Sequence, residues 1–513
     1  MAQPLQTSTI SAPGFMGLNT QDSSLDLAQG FALVATNCVI DQYGRIGARK
    51  GWQPRNTAST ELGSASVEAI AQIVVDDGSE YVVAAGNNKL FRLNGNSLVE
   101  LTYGGGGTAP TITDSNWQIV SLNQVLYFFQ EGHSPLVFQP LVSTTTYQRV
   151  SEMAGYTGTV IEANVAVSAY GRLWVASTTT DKTVVAFSDI LAGQVWTTGT
   201  AGTLDVSSVW PAGSDTITGI AAHNGSLFIF GKSCILIYTG AKEPASMTLA
   251  DTVTGIGCIA RDTIQNTGSD IVFLSDTGVR SVMRTIQEKS APFRDFSKNV
   301  RNDLMSAVKG EVVENIKSIY NPFESFYLLT LPVLKTVYCF DTKTALQDGS
   351  ARITTWDSLE PTAFCFLRNR DMLIGKAGYV GLYTGFIDNT TSYRFQYFTT
   401  HVDLGDQSVT SILKKLSVVV IGGSDQYVSI KWGYDFTGNY YSQTVQIPSQ
   451  GVDYYGEAEY NEAQYSPGTS LQTLVAYPSG SGKVVQTGYE SEIQGASLSI
   501  QRIEIQTKNG KLA

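Results

Sequence analysis

Few side chains in this sequence combine the type and spacing that catalysis requires. The three histidines, His133, His223 and His401, are each isolated in the chain. Metal cages and nucleophilic triads depend on histidines or cysteines that meet acidic or nucleophilic partners. No P-loop, "GxSxG" or "HExxH" segment is present in the sequence. We therefore predict no catalytic residue, no metal site, no cofactor and no enzymatic activity.

Acidic residues form two kinds of cluster. Neighbouring carboxylates such as Asp76 with Asp77 could flank a sugar bond, but they lie in a turn, where acids are usually only solvated. The segment "GVDYYGEAEYNEAQYSPG" (451–468) is acidic and rich in tyrosine and contains no base. Calcium coordination needs tighter ligand spacing, so we favour a loop that presents negative charge to a passage or a partner. Its acids are Asp453, Glu457, Glu459 and Glu462.

Cationic residues concentrate in "NCVIDQYGRIGARKGWQ" (37–53), which contains Arg45, Arg49 and Lys50 together with the aromatic residue Trp52. The pattern predicts two short strands joined at "DQYG", with Gly44 free to take positive φ in the turn. Period-two spacing places Arg45 and Arg49 on one face. DNA contact, docking on an acidic protein surface and a solvated face all remain open. Docking is the interpretation we favour, and it predicts that Arg49→Glu blocks assembly without unfolding the subunit.

Composition and charge narrow the class of protein. The chain of 513 residues contains 15% charged residues, 49 glycines and 25 tyrosines, which is typical of a β-rich protein with many turns. Of the net charge of −11, residues 1–60 contribute +1, residues 61–390 contribute −9 and residues 391–513 contribute −3. A protein that grips nucleic acid over most of its surface needs the opposite sign. With no run of 18 apolar residues and no signal-like start, we expect no export by a cleaved signal and no stable membrane insertion.

The five cysteines give a further indication of the class of protein. They are odd in number and widely spaced, and most lie in apolar runs: Cys38, Cys234, Cys258, Cys339 and Cys365. This pattern predicts reduced core residues of a protein folded in the cytosol, rather than a disulfide framework or a zinc site.

A hairpin pattern recurs through the middle of the chain. Pairs of short apolar strands joined by turn residues occupy 79–93, 123–139, 171–188, 225–240, 269–284, 324–341 and 370–385. Equivalent positions are 44 to 55 residues apart, the spacing of four-stranded propeller blades. We predict an all-β protein with a β-propeller of about seven blades over residues 61–390. A series of unrelated sandwich hairpins is the alternative.

Three further elements complete the prediction. Apolar residues every fourth position in 294–320, with Asp295 or Ser297 as N-cap, predict one amphipathic helix between the fifth and sixth hairpins. Strict alternation after residue 390 predicts a C-terminal antiparallel β-sandwich, 391–513, that contains the acidic loop. Residues 1–60 are predicted as an N-terminal arm and hairpin that makes assembly contacts.

The order of these features resembles a known family. The segments that carry the resemblance are "GFMGLNTQDSSLDLAQGFALVATNCVIDQYGRIGARKGW" (14–52), "GIAAHNGSLFIFGKSCILIYTG" (219–240), "GIGCIARDTIQNTGSDIVFLSDTGVRSV" (255–282) and "VENIKSIYNPFESFYLLTLP" (313–332). In this order the chain is similar, from residue 14 to about 390, to the tail nozzle or tail-stabilisation proteins of short-tailed bacteriophages. The first segment is the most specific.

The resemblance implies a structural, non-enzymatic virion protein that is made and assembled in the host cytoplasm. It implies a hexameric ring that binds the adaptor protein of the head-tail connector and encloses the genome channel. The plug or needle and the fibres or spikes would be further partners, and double-stranded DNA would pass without sequence-specific binding. On this basis Arg45, Arg49, Lys50 and Trp52 would face a neighbouring subunit or the adaptor. The acidic loop would line the channel, because an acidic wall keeps a passing duplex from adhering.

Two other classes of protein remain as alternatives. A propeller adhesin or lectin that binds the host surface would need an aromatic-lined pocket in each blade, but the tryptophans do not recur at one blade position. A phage enzyme that degrades surface polysaccharide would have shorter repeats, as in a trimeric β-helix.

Overall fold

The computed structural model describes residues 5–112, 116–159, 161–211, 213–288, 295–404, 409–448 and 471–512. Nearly all of the regular structure in these residues is β-strand. The prediction of an all-β propeller with an antiparallel sandwich is confirmed.

Six short strands precede the first blade. They are β1 (Gln6–Ser11), β2 (Gly17–Leu18), β3 (Phe31–Thr36), β4 (Cys38–Ile40), β5 (Ile46–Ala48) and β6 (Trp52–Pro54). The predicted hairpin is the antiparallel pair β4 and β5, in which Val39 lies opposite Gly47. Gly44 has a φ of 74° in the turn, as the "DQYG" sequence predicts.

The first four blades follow in sequence. Blade one consists of β7 (Val67–Val74), β8 (Glu80–Gly86), β9 (Lys89–Asn94) and β10 (Ser97–Glu100). Blade two consists of β11 (Thr102–Tyr103), β12 (Gln118–Leu122), β13 (Val125–Phe129), β14 (Leu136–Phe138) and β15 (Thr146–Arg149). Blade three consists of β16 (Ala163–Ala169), β17 (Arg172–Thr178), β18 (Val184–Phe187) and β19 (Gly202–Asp205). Blade four consists of β20 (Gly219–His223), β21 (Ser226–Phe230), β22 (Cys234–Thr239) and β23 (Thr248–Thr254).

The later blades are less regular. Among the described residues, the fifth sheet has three strands, β24 (Gln265–Asn266), β25 (Ile271–Ser275) and β26 (Gly278–Ser281). The sixth repeat consists of β27 (Lys317–Asn321), β28 (Phe326–Leu331), β29 (Thr336–Asp341) and β30 (Arg352–Trp356). The last consists of β31 (Phe364–Phe366), β32 (Met372–Lys376) and β33 (Tyr379–Tyr383), and β6 pairs with β33 as its outer strand. Six blades are therefore complete, and the fifth of the predicted seven repeats is a reduced sheet.

Buried clusters between neighbouring repeats close the ring. Each of the first six clusters joins one repeat to the next. The seventh joins the last repeat to the first, with Leu373 and Val380 packed against Ile70 and Phe91. A lone hairpin is marginal in water, so burial of both faces of each sheet stabilises the whole ring.

The helix prediction over 294–320 is wrong in extent. The helices are α1 (Val282–Glu288) and α2 (Arg301–Val308), and 3₁₀ turns cover Val150–Glu152, Pro244–Ser246, Arg261–Thr263, Lys298–Val300 and Val313–Asn315. Val300, Leu304 and Val308 are buried as predicted, but Val312 is 51% exposed. The N-cap position of α2 is Val300, with no side-chain cap from Ser297 or Asp295. Ile316 lies between the last 3₁₀ turn and β27, so its spacing continued a helical pattern by coincidence.

The remaining strands build the sandwich. They are β34 (Tyr393–Thr399), β35 (Val402–Asp403), β36 (Val409–Gly422), β37 (Tyr427–Tyr434), β38 (Tyr441–Gln446), β39 (Leu471–Ala476), β40 (Ser481–Gly482), β41 (Val484–Ile493) and β42 (Leu498–Leu512). One sheet has seven strands in the order β39-β36-β42-β5-β4, with β1 paired to β42 and β40 to β36. The other is continuous with the sixth blade through β3.

Residues 5–48 contribute strands and core side chains to this sandwich rather than forming a separate arm. Ile10 lies opposite Ile503, and Ala35 lies opposite Tyr397. One core cluster contains Phe15 and Ile46 together with C-terminal residues such as Leu416. Both ends of the chain therefore contribute to one core, while β6 completes the propeller.

Candidate functional site

The predicted docking residue Arg49 lies in a buried junction between propeller and sandwich. It follows β5, and its side chain is fully buried. The guanidinium donates from Nη1 to Asp388 Oδ1 at 2.9 Å and from Nη2 to Asp388 Oδ2 at 2.7 Å. Two parallel bonds of this kind combine charge attraction with a fixed geometry.

The other donors of Arg49 are also occupied. Nε donates to Asn37 Oδ1 at 2.9 Å, and Nη2 donates to Ser358 Oγ at 2.9 Å. The guanidinium carbon lies 4.0 Å from the ring centre of Tyr393, and burial raises the pKa of that phenol. The prediction that Arg49 faces a neighbouring protein is therefore wrong, because this chain already satisfies its hydrogen bonds and its charge.

Trp52 is also an internal residue. It opens β6, is 7% exposed and packs on Tyr379, with ring centres 6.3 Å apart. Lys376 Nζ lies 5.2 Å from the centre of its ring. The predicted role of Trp52 as a docking residue is corrected accordingly, since the side chain anchors the strand that closes the propeller.

Arg45 and Lys50 keep some exposure but are paired within the chain. Arg45 Nε lies 2.6 Å from Asp41 Oδ2, and its guanidinium stacks 4.3 Å from the centre of the Tyr43 ring. Lys50 Nζ lies 2.6 Å from Glu324 Oε1, with 44% of the lysine side chain exposed. The basic hairpin therefore presents much less free positive charge than its sequence indicates.

The acidic loop with Asp453, Glu457, Glu459 and Glu462 lies outside the described residues. Its predicted position along a channel therefore stays a prediction.

The other candidate residues stay apart. The cysteines are free, and four are buried while Cys365 is partly exposed. His223 is buried in β20, and His401 Nδ1 lies 3.0 Å from Ser24 Oγ. Within the described ranges, no three His, Cys, Asp or Glu side chains are grouped to hold a metal ion. None of the helices described is long and apolar enough to cross a membrane.

A second charged cluster lies on the propeller axis. Arg261 donates from Nη2 to the Trp117 carbonyl at 3.0 Å and from Nη1 to Asn164 Oδ1 at 2.7 Å. It therefore reaches from the turn before the fifth sheet to blades two and three. Asp262 accepts from Arg261 Nε at 2.7 Å and from Lys317 Nζ at 2.5 Å.

The two neighbouring cations set the ionisation of Asp262. Burial opposes ionisation of Asp262, but the charges of Arg261 and Lys317 outweigh it and lower the pKa of that carboxyl from 3.8 to about 2. Cavities of about 260 Å³ and 350 Å³ are both lined in part by Arg261 and Asp262. The cluster thus divides the space at the centre of the propeller.

Comparison with known proteins gives a likeness of fold only. No protein-family model and no curated protein matches the chain. The WD40 domain of Neurospora crassa Pan2 is similar at 10% identity and a TM-score of 0.39, covering 66% of this chain and 98% of that one. The WD40 domain of Toxoplasma gondii coronin is similar at 12% identity and a TM-score of 0.35, covering 68% of this chain and 86% of that one. At these values the likeness carries no argument about function, and the propeller is established by its own strand pairing.

Sequence reasoning missed the partners that decide the role of Arg49. Asp388 lies 339 positions away in the chain, and the pattern around it indicates only a turn. Gly51 was one sequence signal of a close contact in this region. A Cβ on Gly51 would lie 2.0 Å from the Ile387 carbonyl oxygen, so a close backbone approach requires glycine there.

Proposed function

We propose that this protein is a structural subunit of the tail nozzle of a short-tailed bacteriophage. A ring of copies would extend the DNA channel below the adaptor and hold the genome until ejection. The observation that carries the proposal is the segment 14–52, which is the most specific part of the sequence resemblance. The same segment contributes strands to the sandwich and supplies Arg49 to the junction.

The interlocked termini suit a part that must bear load. Strands β1 and β42 pair along six positions, and the buried Arg49–Asp388 pair ties the hairpin to the segment that leaves the last blade. Separating the sandwich from the propeller would expose that pair and break several hydrogen bonds together. A net charge of −11 supports the proposed passage of DNA without adhesion, since phosphates gain no counterion release on an acidic surface.

The proposed partners are further copies in a hexamer, the adaptor of the head-tail connector, a plug or needle, and fibres or spikes. Of the four predicted contact residues, Arg45 and Lys50 are the ones that keep exposed atoms for contact with a neighbour. The proposed location is the virion, after assembly in the host cytoplasm. Because the axis of each propeller is divided by Arg261 and Asp262, the DNA path would run between subunits.

A protein-binding propeller, such as an adhesin on a host surface, is the second candidate. The propeller architecture favours it in general terms, because such rings offer loops from many blades to a partner. This candidate requires no ring of copies.

Electron microscopy of the purified protein, alone and with the adaptor ring, distinguishes the two candidates. The nozzle predicts sixfold rings that stack coaxially on the adaptor. Particles that remain single with the adaptor but bind host-surface glycan on an array would contradict the nozzle and support the adhesin.

A further inference from the structure

The seven-stranded sheet of the sandwich has a charge opposite to that of the rest of the chain. Its strands contain five bases, Lys414, Lys415, Arg502, Lys508 and Lys511, and one acid, Glu504. The remainder contains 29 Lys and Arg residues against 44 Asp and Glu residues, a net of −15. The fold therefore brings positive charge together on one sheet, although residues 391–513 as a whole have a net charge of −3.

A bulge in β36 turns two adjacent lysines to the same side. The register shifts between Leu413 and Lys415, so Lys414 is the additional residue opposite β42. Leu413 and Leu416 are fully buried, whereas Lys414 is exposed and Lys415 is partly exposed. Both lysines therefore lie on the outer face of the sheet.

The strand register brings a third lysine to this face. Lys508 lies opposite Ile412, which is 36% exposed, and directly opposed residues share a face. None of the three lysines has an ion-pair partner among the described residues, while Arg502 pairs with Glu504 at 2.7 Å. The only acid on these strands is thus already neutralised within the sheet.

Aliphatic side chains accompany the lysines. Ile421 lies opposite Leu471 of β39, which is 62% exposed, and both point away from the core. We call the outer surface formed by Ile412, Lys414, Lys415, Ile421, Leu471 and Lys508 the cationic sheet face. Two central strands of 14 and 15 residues, flanked by the shorter strands β39, β40, β1 and β5, give a face of roughly 700 Å². A standard protein interface buries about 600 to 1,000 Å² of each partner.

We propose that the cationic sheet face is the surface on which a second copy of this chain docks. The mixture of exposed aliphatic groups with lysine fits a protein surface better than a duplex, because phosphates leave Leu471 and Ile421 without apolar contact. Three free lysines would also neutralise only about three phosphates, which gives weak binding at physiological salt. A second copy, with its net of −15 outside this sheet, is a complementary partner.

The contact joins different surfaces of the two copies. A positive sheet that meets an acidic surface elsewhere is a head-to-tail arrangement, which closes into a ring when the rotation between copies permits. The inference rests on the proposed function, because a nozzle subunit must contact other copies of itself. It assigns the surface through which this contact is made.

The test is a double charge reversal, Lys414→Glu with Lys415→Glu. The matched control is Lys242→Glu with Lys309→Glu, which changes the net charge equally at two exposed lysines of the propeller that have no ion pair among the described residues. Sedimentation velocity of the full chain over about 1 to 50 μM compares the self-association of the wild type and both variants. Circular dichroism melting checks that each variant is folded.

We expect the sheet variant to weaken self-association at least tenfold while the control behaves as the wild type. Raising NaCl from about 50 to 500 mM should weaken association of the wild type and have less effect on the sheet variant. A wild type that is monomeric throughout overturns the inference. Association that is unchanged in the sheet variant also overturns it but leaves a ring through another surface, and with it the nozzle, intact. Binding of a labelled duplex of about 30 base pairs that is lost only in the sheet variant, with self-association unaffected, would assign the face to DNA instead.

Discussion

Arg49 and Asp388 form a two-pronged ion pair, with N–O distances of 2.9 and 2.7 Å, between residues 339 positions apart in the chain. Arg49 comes from the hairpin near the N-terminus, and Asp388 comes from the segment that leaves the last blade for the sandwich. The pair is buried and joined by Asn37, Ser358 and Tyr393. One guanidinium therefore contacts residues of both the propeller and the sandwich.

Replacing Arg49 with methionine should unfold or strongly destabilise the subunit. The change leaves Asp388 buried without its countercharge, which typically costs about 3–5 kcal/mol of the free energy of unfolding. Arg49→Lys should restore only part of this, because an ammonium cannot form the two parallel bonds. Urea denaturation followed by tryptophan fluorescence measures the difference.

Arg45→Met is the matched control for Arg49, since it removes a partly exposed pair on the same hairpin. Its expected loss is about 1 kcal/mol or less. Equal losses in the two variants would contradict the role of the buried junction. The sequence predicted that Arg49→Glu would block assembly of a folded subunit. Because Arg49 is buried, the structure predicts instead that Arg49→Glu unfolds the subunit.

Gly51→Ala should prevent proper closure of the propeller. The new Cβ would lie 2.0 Å from the Ile387 carbonyl oxygen and 2.4 Å from its carbon, so backbone must move. Since β6 begins at the next residue, its pairing with β33 would be disturbed. We expect a fall in the melting temperature of several degrees or failure to fold.

Gly106→Ala serves as the comparison for Gly51→Ala. A Cβ at this position meets nothing within 4 Å, and the residue lies in a loop of blade two. Its melting temperature should stay close to that of the wild type. A Gly51→Ala protein that melts like Gly106→Ala would show that β6 does not need the close approach.

Asp262→Asn should remove a pH-dependent part of the stability. Because the folded pKa of about 2 lies below the reference value of 3.8, the stabilisation is complete above the unfolded pKa and is lost as pH falls through the folded one. The difference corresponds to about 2 kcal/mol near neutral pH, and about half of it should be gone at pH 3.

The measurement is the free energy of unfolding of the wild type and of Asp262→Asn at several pH values between 7 and 3. The difference in unfolding free energy between the two proteins should decrease as the pH falls. Comparing the two proteins cancels the titration of the groups that they share. A gap that stays constant or widens towards pH 3 would argue against the ion pairs of Asp262 with Arg261 and Lys317.

The four buried thiols should be unreactive in the native protein. Burial raises the pKa of Cys258 and of Cys365 to about 12, and it also raises the pKa of Cys38 and Cys339. Since the thiolate is the reactive form, alkylation by iodoacetamide at pH 8 should be slow until denaturant is added. Intact mass spectrometry counts the adducts, and rapid labelling of the folded protein at Cys258 would contradict the burial described.

Local patterns in the sequence predicted the repeats well. The hairpins over 79–93, 225–240 and 324–341 each occur as paired antiparallel strands. A hairpin joins neighbours in sequence, so turn residues and alternation are enough to indicate it. The helix prediction failed at Ile316, which continues the four-residue spacing of the helix. This residue lies immediately before β27, and an apolar side chain suits that position as well as it suits a helix.

The candidate site was less predictable than the fold. The sequence indicated a hairpin with three cations, but it could not show that Arg49 meets Asp388 or that Lys50 meets Glu324. Those partners lie in turns whose local composition is ordinary. The cationic sheet face was hidden for the same reason, since Lys414 and Lys508 are distant in sequence and become neighbours only through strand register.

By itself, the sequence determined the strand-rich class, the succession of hairpins and the absence of a recognisable catalytic motif, because these depend on residue type and short spacing. The tertiary structure alone decided which strands from the two chain ends share a core, which cations are neutralised and which remain free. Pairing between Ile10 and Ile503 and the burial of Arg49 depend on contacts across hundreds of residues. Such contacts form because closing a propeller and a sandwich together buries more apolar surface than either end could bury alone.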